Sequence, residues 1–181
     1  MFGFWKTKRK FPVQAEAETP SMLPATAAVG SAAPVGTMPY CAGLIEELVA
    51  DHAALRALEA RIRRAFLRND LTRVAKRLRE FGTLLRGHIL KENVRLYAFL
   101  QRIIEDDAEI ETIKHFRREM NGLSQSLLAF FKQYESIDQL PPEQAAGFLA
   151  DLDALSWVVH DRMQREERQL YPLYRGSAVA A

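Results

Sequence analysis

"VAKRLREFGTLLRGHILKENVRLYAFLQRI", residues 74–103, decides how this chain folds. Its apolar residues recur at Val74, Leu78, Phe81, Leu85, Phe99 and Ile103, the three-and-four spacing of one helix face. His88 and Glu92 fall on that same face, where aliphatic side chains belong. Three other stretches keep the period: Ile45, Leu48, His52, Leu55, Ile62, Phe66; Phe116, Met120, Leu123, Leu127, Phe130, Tyr134; and Phe148, Leu152, Leu155, Val159, Met163, Glu166, Leu170. Breaks stand between them. "RND" at 68–70 offers Asn69 or Asp70 as a cap, "EDDAE" at 105–109 supplies an acidic helix start, and the second proline of "QLPPEQ" at 139–144 suits a first helical turn. Four long helices with short connections predict an all-α fold, an up-down-up-down antiparallel four-helix bundle, because each apolar stripe must face another.

The rest of the chain is read around that bundle. Its 181 residues hold one ordinary domain plus tails. A formal net charge of +2 implies no nucleic-acid-binding surface. Cys41 is the single cysteine, which excludes an intrachain disulfide framework and fits a reducing, cytoplasmic setting. The opening "MFGFWKTKRKF" sets aromatics on both sides of its charges, unlike a secretion signal. Thr19 to Ile45 lacks charge, but Pro20, Pro24, Pro34 and Pro39 break any spanning helix there. Residues 1–39 therefore read as a disordered tail, a basic and aromatic tip followed by an Ala/Pro-rich linker. Membrane contact through the tip is the lesser reading against a solubilising tail. Residues 40–175 read as the bundle and 176–181 as a flexible C-terminus, in a monomer or homodimer.

Polar residues on the apolar stripes carry the functional signal. An ionised carboxylate inside a bundle is costly unless it is paired or holds a metal. His88 and Glu92, four apart, lie within about 40° on their helix. His52 precedes the first turn by about as many residues as His88 follows it, so antiparallel neighbours bring the two to one height. Glu166 sits at the centre of the fourth stripe. A second His-x-x-x-Glu pair, His115 and Glu119 in "HFRRE", flanks the third, with Glu119 about 60° and His115 about 100° from its centre. Against a metal site stands an internal ion pair of Glu166 with Arg162. Glu59 also faces inward, and its level assigns it to Arg77 or Arg63 instead. His160 points about 120° away from Glu166, which argues against it as a ligand.

This arrangement resembles the hemerythrin-like (HHE cation-binding) family over about residues 42–174, on His52 in "DHAAL", on "HILKENVRLY" and on "REERQLYPLY". In that family a first-helix histidine, two His-x-x-x-Glu motifs on the second and fourth helices and a third-helix histidine bind two non-heme irons. The resemblance implies His52, His88, Glu92 and Glu166 as metal ligands, with Glu92 and Glu166 bridging, and His115 or Glu119 from the third helix. The chain departs from the family at Arg162, which stands at the fourth-helix histidine position. That points to carboxylates replacing imidazoles or to a mononuclear site, with iron (di-iron or mononuclear) ahead of manganese. The expected partners are the metal ion and a small diatomic ligand.

The leading functional expectation is a metal-binding protein that binds or senses dioxygen or nitric oxide, or handles iron under oxidative stress. The alternatives are a catalytic di-iron protein, peroxidase-like or active in iron-sulfur repair, and a metal-free helical bundle serving protein interaction. The sequence shows no nucleophile triad and no nucleotide-binding loop, so the non-enzymatic reading leads.

Overall fold

The computed structural model describes residues 40–176, apart from the side chains of residues 142 and 144. The expected N-terminal tail and the last residues, 177–181, lie outside the described residues. Four long helices form the bundle, and no strand occurs among the described residues. Helix α1 spans Leu44–Leu67. Helix α2 begins as Leu71–Lys91 and runs on through a widened π turn, Glu92–Tyr97, into Ala98–Ile103. Helix α3 spans Asp107–Gln133. Helix α4 begins as Phe148–Arg165 and continues through a second π turn, Glu166–Leu170, into Tyr171–Gly176.

The breaks have local causes. Asn69 takes a left-handed φ of 55°, closing α1, and the Asp70 carboxylate accepts from Arg73 N at 3.0 Å to cap α2. Asp106 accepts from the Ala108 and Glu109 amides, both at 3.0 Å, and caps α3. Gly43, at φ 89°, turns the chain into α1, a conformation that L side chains rarely adopt. The proline pair opens only a short helical turn, Pro142–Ala145, and α4 starts afterwards at Phe148. Asp70→Ala is expected to lower stability by about 1 kcal/mol in a urea melt, since it leaves orphan amides at the α2 start. Metal content should not change, because the cap lies far along α2 from His88.

The core is divided. One apolar cluster joins Leu55, Ile62, Leu78, Phe81, Phe130 and Phe148 with their neighbours. A second joins Leu44, Leu48, Leu96, Phe99, Phe116, Leu170 and Tyr174. Each such buried aliphatic or aromatic side chain contributes about 1.5–3 kcal/mol, so both clusters hold the helices firmly. On α1, α2 and α4 a polar interruption separates the two clusters. His52 lies between Leu48 and Leu55, His88 and Glu92 between Leu85 and Leu96, and Arg162 and Glu166 between Val159 and Leu170. A buried polar layer thus crosses the bundle between two dry clusters. No helix among the described residues is long and apolar enough to cross a membrane.

Candidate metal centre

Three donor atoms meet inside the polar layer. His52 Nε2 lies 3.1 Å from His88 Nε2 and 3.3 Å from Glu166 Oε2. One ligand atom from each of His52, His88 and Glu166 lies within 4.8 Å of the others. Glu92 is fully buried beside them, with Oε1 at 3.9 Å from His88 Nε2. The structure therefore brings together His52 from α1, His88 and Glu92 from α2, and Glu166 from α4. It does not bring in His115, whose side chain is 57 % exposed and sits 3.2 Å from Glu119. Glu119 itself is engaged by Arg165 at 2.8 Å and Arg162 at 3.4 Å.

The far ring nitrogens set the near ones. His52 Nδ1 bonds Glu167 Oε1 at 2.8 Å, and Asp51 Oδ2 lies 3.4 Å from His88 Nδ1 while pairing with Lys91 at 2.5 Å. The Glu167 carboxylate on His52 Nδ1 draws the ring proton there and leaves the His52 Nε2 lone pair facing inward. Burial first, and then the neighbouring His52, pushes His88 down to about 4, so its ring is neutral near pH 7. Two such nitrogens in contact repel unless a proton or a cation lies between them.

The carboxylates are equally unusual. Glu92 Oε1 accepts from Tyr171 Oη at 3.1 Å, but its other oxygen is buried with no hydrogen-bond partner. Burial, and then the nearby Glu166, holds the Glu92 carboxyl well above the usual carboxylate range, against the opposing pull of Arg162 and Tyr171. Glu166 divides its two oxygens. Oε2 faces the histidines, and Oε1 lies 2.6 Å from Arg162 Nε in a close ion pair whose N–H is poorly aligned for a hydrogen bond. Arg162 is itself buried, 3 % exposed, and donates to the Phe116 carbonyl at 2.9 Å and Tyr97 Oη at 3.0 Å. Its guanidinium also lies over the Phe116 ring, 5.2 Å from the centroid.

This set fits a metal ion. Bonds of about 2.1 Å meeting at about 90–110° put neighbouring donors about 3.0–3.4 Å apart, the spacing at which His52 Nε2 stands from His88 Nε2 and from Glu166 Oε2. The unpartnered Glu92 oxygen offers a fourth donor, and a buried anion without a partner is otherwise costly.

Sequence reasoning takes Tyr97 and Tyr171 as core residues first, near the ends of the site, and passes over Glu167 and Asp51. Tyr97 and Tyr171 follow Glu92 and Glu166 by five residues, which in an α-helix puts them about 140° off the stripe. The π turns close i→i+5 instead and bring each tyrosine round to the site. Glu167 and Asp51 sit one residue from stripe positions, and the signal that finds them is the need of each histidine for a carboxylate on its second nitrogen. The inward Glu59 pairs with Arg63 at 3.1 Å and His160 at 3.0 Å, while Arg77 turns to Glu80.

Glu167→Gln is expected to weaken metal affinity about 10–100-fold in a chelator competition, because a neutral amide orients the His52 ring less firmly. The half-exposed position predicts little change in the apo melt.

Comparison with known proteins agrees with the geometry. The family model described as Hemerythrin HHE cation binding domain matches residues 43–174. No curated protein and no solved structure matches the chain.

Proposed function

The chain belongs to the hemerythrin HHE cation-binding domain family, and from that premise we propose a metal-binding protein whose His52, His88, Glu92 and Glu166 hold non-heme iron. Its task on this reading is to bind or sense a small diatomic molecule, dioxygen or nitric oxide, or to handle iron under oxidative stress in a reducing, cytoplasmic setting. The observation that carries the reading is the trio of donor atoms within 4.8 Å of one another in a buried layer, beside a carboxylate oxygen with no partner. Two imidazoles with carboxylates suit iron better than manganese, which prefers an all-oxygen set.

Bound iron would supply an open coordination position and a redox electron for a small ligand. The chain's own residues do the rest. Glu167 holds the ring proton of His52 on its outer nitrogen, and Asp51 stands 3.4 Å from the outer nitrogen of His88. Tyr171 donates to Glu92 and lies 3.2 Å from His52 Nε2, so it is placed to hold a proton at the edge of the ion site. Burial, with the charges of Glu92 and Glu166, raises the Tyr171 hydroxyl far above its usual value and keeps it a donor. The two apolar clusters exclude water from the layer. A cavity of about 20 Å³, walled by His88, Arg162 and Glu166 together with Leu85, Leu123 and Val159, adjoins the site. That volume takes one water-sized or diatomic molecule.

The metal-free reading draws on the Arg162–Glu166 pair. That pair uses only one oxygen of Glu166 and leaves the second Glu92 oxygen buried without a partner. Iron analysis of anaerobically purified protein tests the choice. Bound iron is expected, and its displacement by a chelator should lower the melting temperature. Protein that takes up neither iron nor manganese would defeat the proposal. Turnover of peroxide or nitric oxide by the iron-loaded chain would instead favour a catalytic role.

A further inference from the structure

The polar layer is built twice on one plan. His88, Glu92 and Tyr97 on α2 repeat at the same spacing as Arg162, Glu166 and Tyr171 on α4, and in each the glutamate opens the π turn. Each tyrosine crosses to the other copy. Tyr171 Oη donates to Glu92 Oε1 at 3.1 Å, and Tyr97 Oη accepts from Arg162 Nη2 at 3.0 Å. Neighbouring helices complete the halves: α1 gives His52 to the His88 half, and α3 gives the Phe116 carbonyl to the Arg162 half. Glu166 belongs to both, with one oxygen toward each. The repeat sets a guanidinium where the other half has an imidazole nitrogen and its ion site.

We propose that Arg162 is the resident second cation of this centre, and that the chain accordingly binds one metal ion rather than two. Three features carry this. A guanidinium has donors only and no lone pair for a metal. The oxygens that a second ion would need, Glu166 Oε1, the Phe116 carbonyl, Tyr97 Oη and Glu119 Oε2, all face the guanidinium within 3.4 Å. Charge points the same way. The Glu92 and Glu166 carboxylates, both ionised when they hold a metal, sum with Arg162 to a single negative charge, so one divalent ion leaves one net positive charge whereas two would leave three between dry apolar clusters. Arginine stays charged at any working pH, so the position cannot be vacated by deprotonation.

The inference rests on the metal-binding reading, and the experiment separates the two. The full chain is loaded with ferrous iron without oxygen, desalted and assayed for iron per chain. It is then oxidised with a one-electron oxidant and examined by electron paramagnetic resonance. One iron per chain is expected, with the signal of an isolated high-spin ferric ion. Arg162→Lys keeps the charge and should stay at one. Arg162→His replaces the cation by a donor and should move toward two, with the ferric signal lost as the spins couple. Two irons in the unaltered chain would overturn this inference and leave the metal-binding reading standing, while none would overturn both. A folded Arg162→His chain that stays at one iron would also overturn it. Should that variant fail to fold by circular dichroism, the iron count and spectrum of the unaltered chain decide alone.

Discussion

Glu166→Ala is expected to abolish iron binding at micromolar iron and also to cost the metal-free protein about 3–5 kcal/mol of stability. The two losses have separate causes in one side chain. Oε2 is one of three donor atoms gathered at the centre, and two imidazoles without it hold iron weakly. Oε1 is the closest counter-charge of Arg162, at 2.6 Å. Burial opposes the Arg162 charge, yet Glu166, with Tyr97 and Glu92, carries its pKa above the ordinary value. Truncation removes that partner and leaves a guanidinium in a dry layer. Glu119 at 3.4 Å offsets part of the deficit, and the Phe116 carbonyl and Tyr97 hydroxyl keep their bonds. Glu166→Gln separates the two roles. Its amide oxygen still faces the Arg162 guanidinium as a dipole, so it should lose the metal with a smaller stability cost, about 1–2 kcal/mol. Urea melts of chelator-treated protein and iron analysis make the comparison. Retained iron in the alanine variant would remove Glu166 from the ligand set. An unchanged melt would mean that Glu119 alone is counter-charge enough.

How much of this the sequence carried depends on the physics at each position. The four stripes were legible because burial repeats every three or four residues, and a bundle has no other way to hide them. His52, His88, Glu92 and Glu166 stood out for the same reason, as polar residues at stripe positions. The paired roles of Glu166 were not legible. Metal ligand and ion-pair partner looked like rival readings, but a carboxylate has two oxygens, and only coordinates show that one faces Arg162 and the other His52. Tyr97 and Tyr171 read as core residues first because a regular helix was assumed, and a single widened turn shifts every later residue around the axis. His115 and Glu119 looked alike as a His-x-x-x-Glu pair. Their stripe angles already favoured Glu119 as the inward member, and the structure sets it against Arg162 and Arg165, with His115 outside.

The opposite sign of stability change is expected for Glu92→Gln. Here the metal-free protein should gain about 1–3 kcal/mol at mildly alkaline pH while iron affinity falls at least about 100-fold. Glu92 is fully buried, one oxygen lacks a partner, and the charge of Glu166 adds to the cost of ionising it. The amide keeps the volume and still accepts from Tyr171, but carries no charge to desolvate. The sign of the pH effect follows from the raised carboxyl. Folded, metal-free protein holds a proton that the unfolded chain sheds near its ordinary value of 4.5. The folded state therefore binds more protons above that pH, and stability declines as pH rises until the folded group has also ionised. Bound iron supplies the missing counter-charge and should remove the decline. The difference between unaltered and Glu92→Gln melts, taken from about pH 5 to about pH 9 with chelator present, isolates this one group. A difference that is flat with pH would mean that Glu92 finds a partner in the metal-free state. Equal iron affinity in the two proteins would remove it from the ligand set, leaving His52, His88 and Glu166 to hold the ion by themselves.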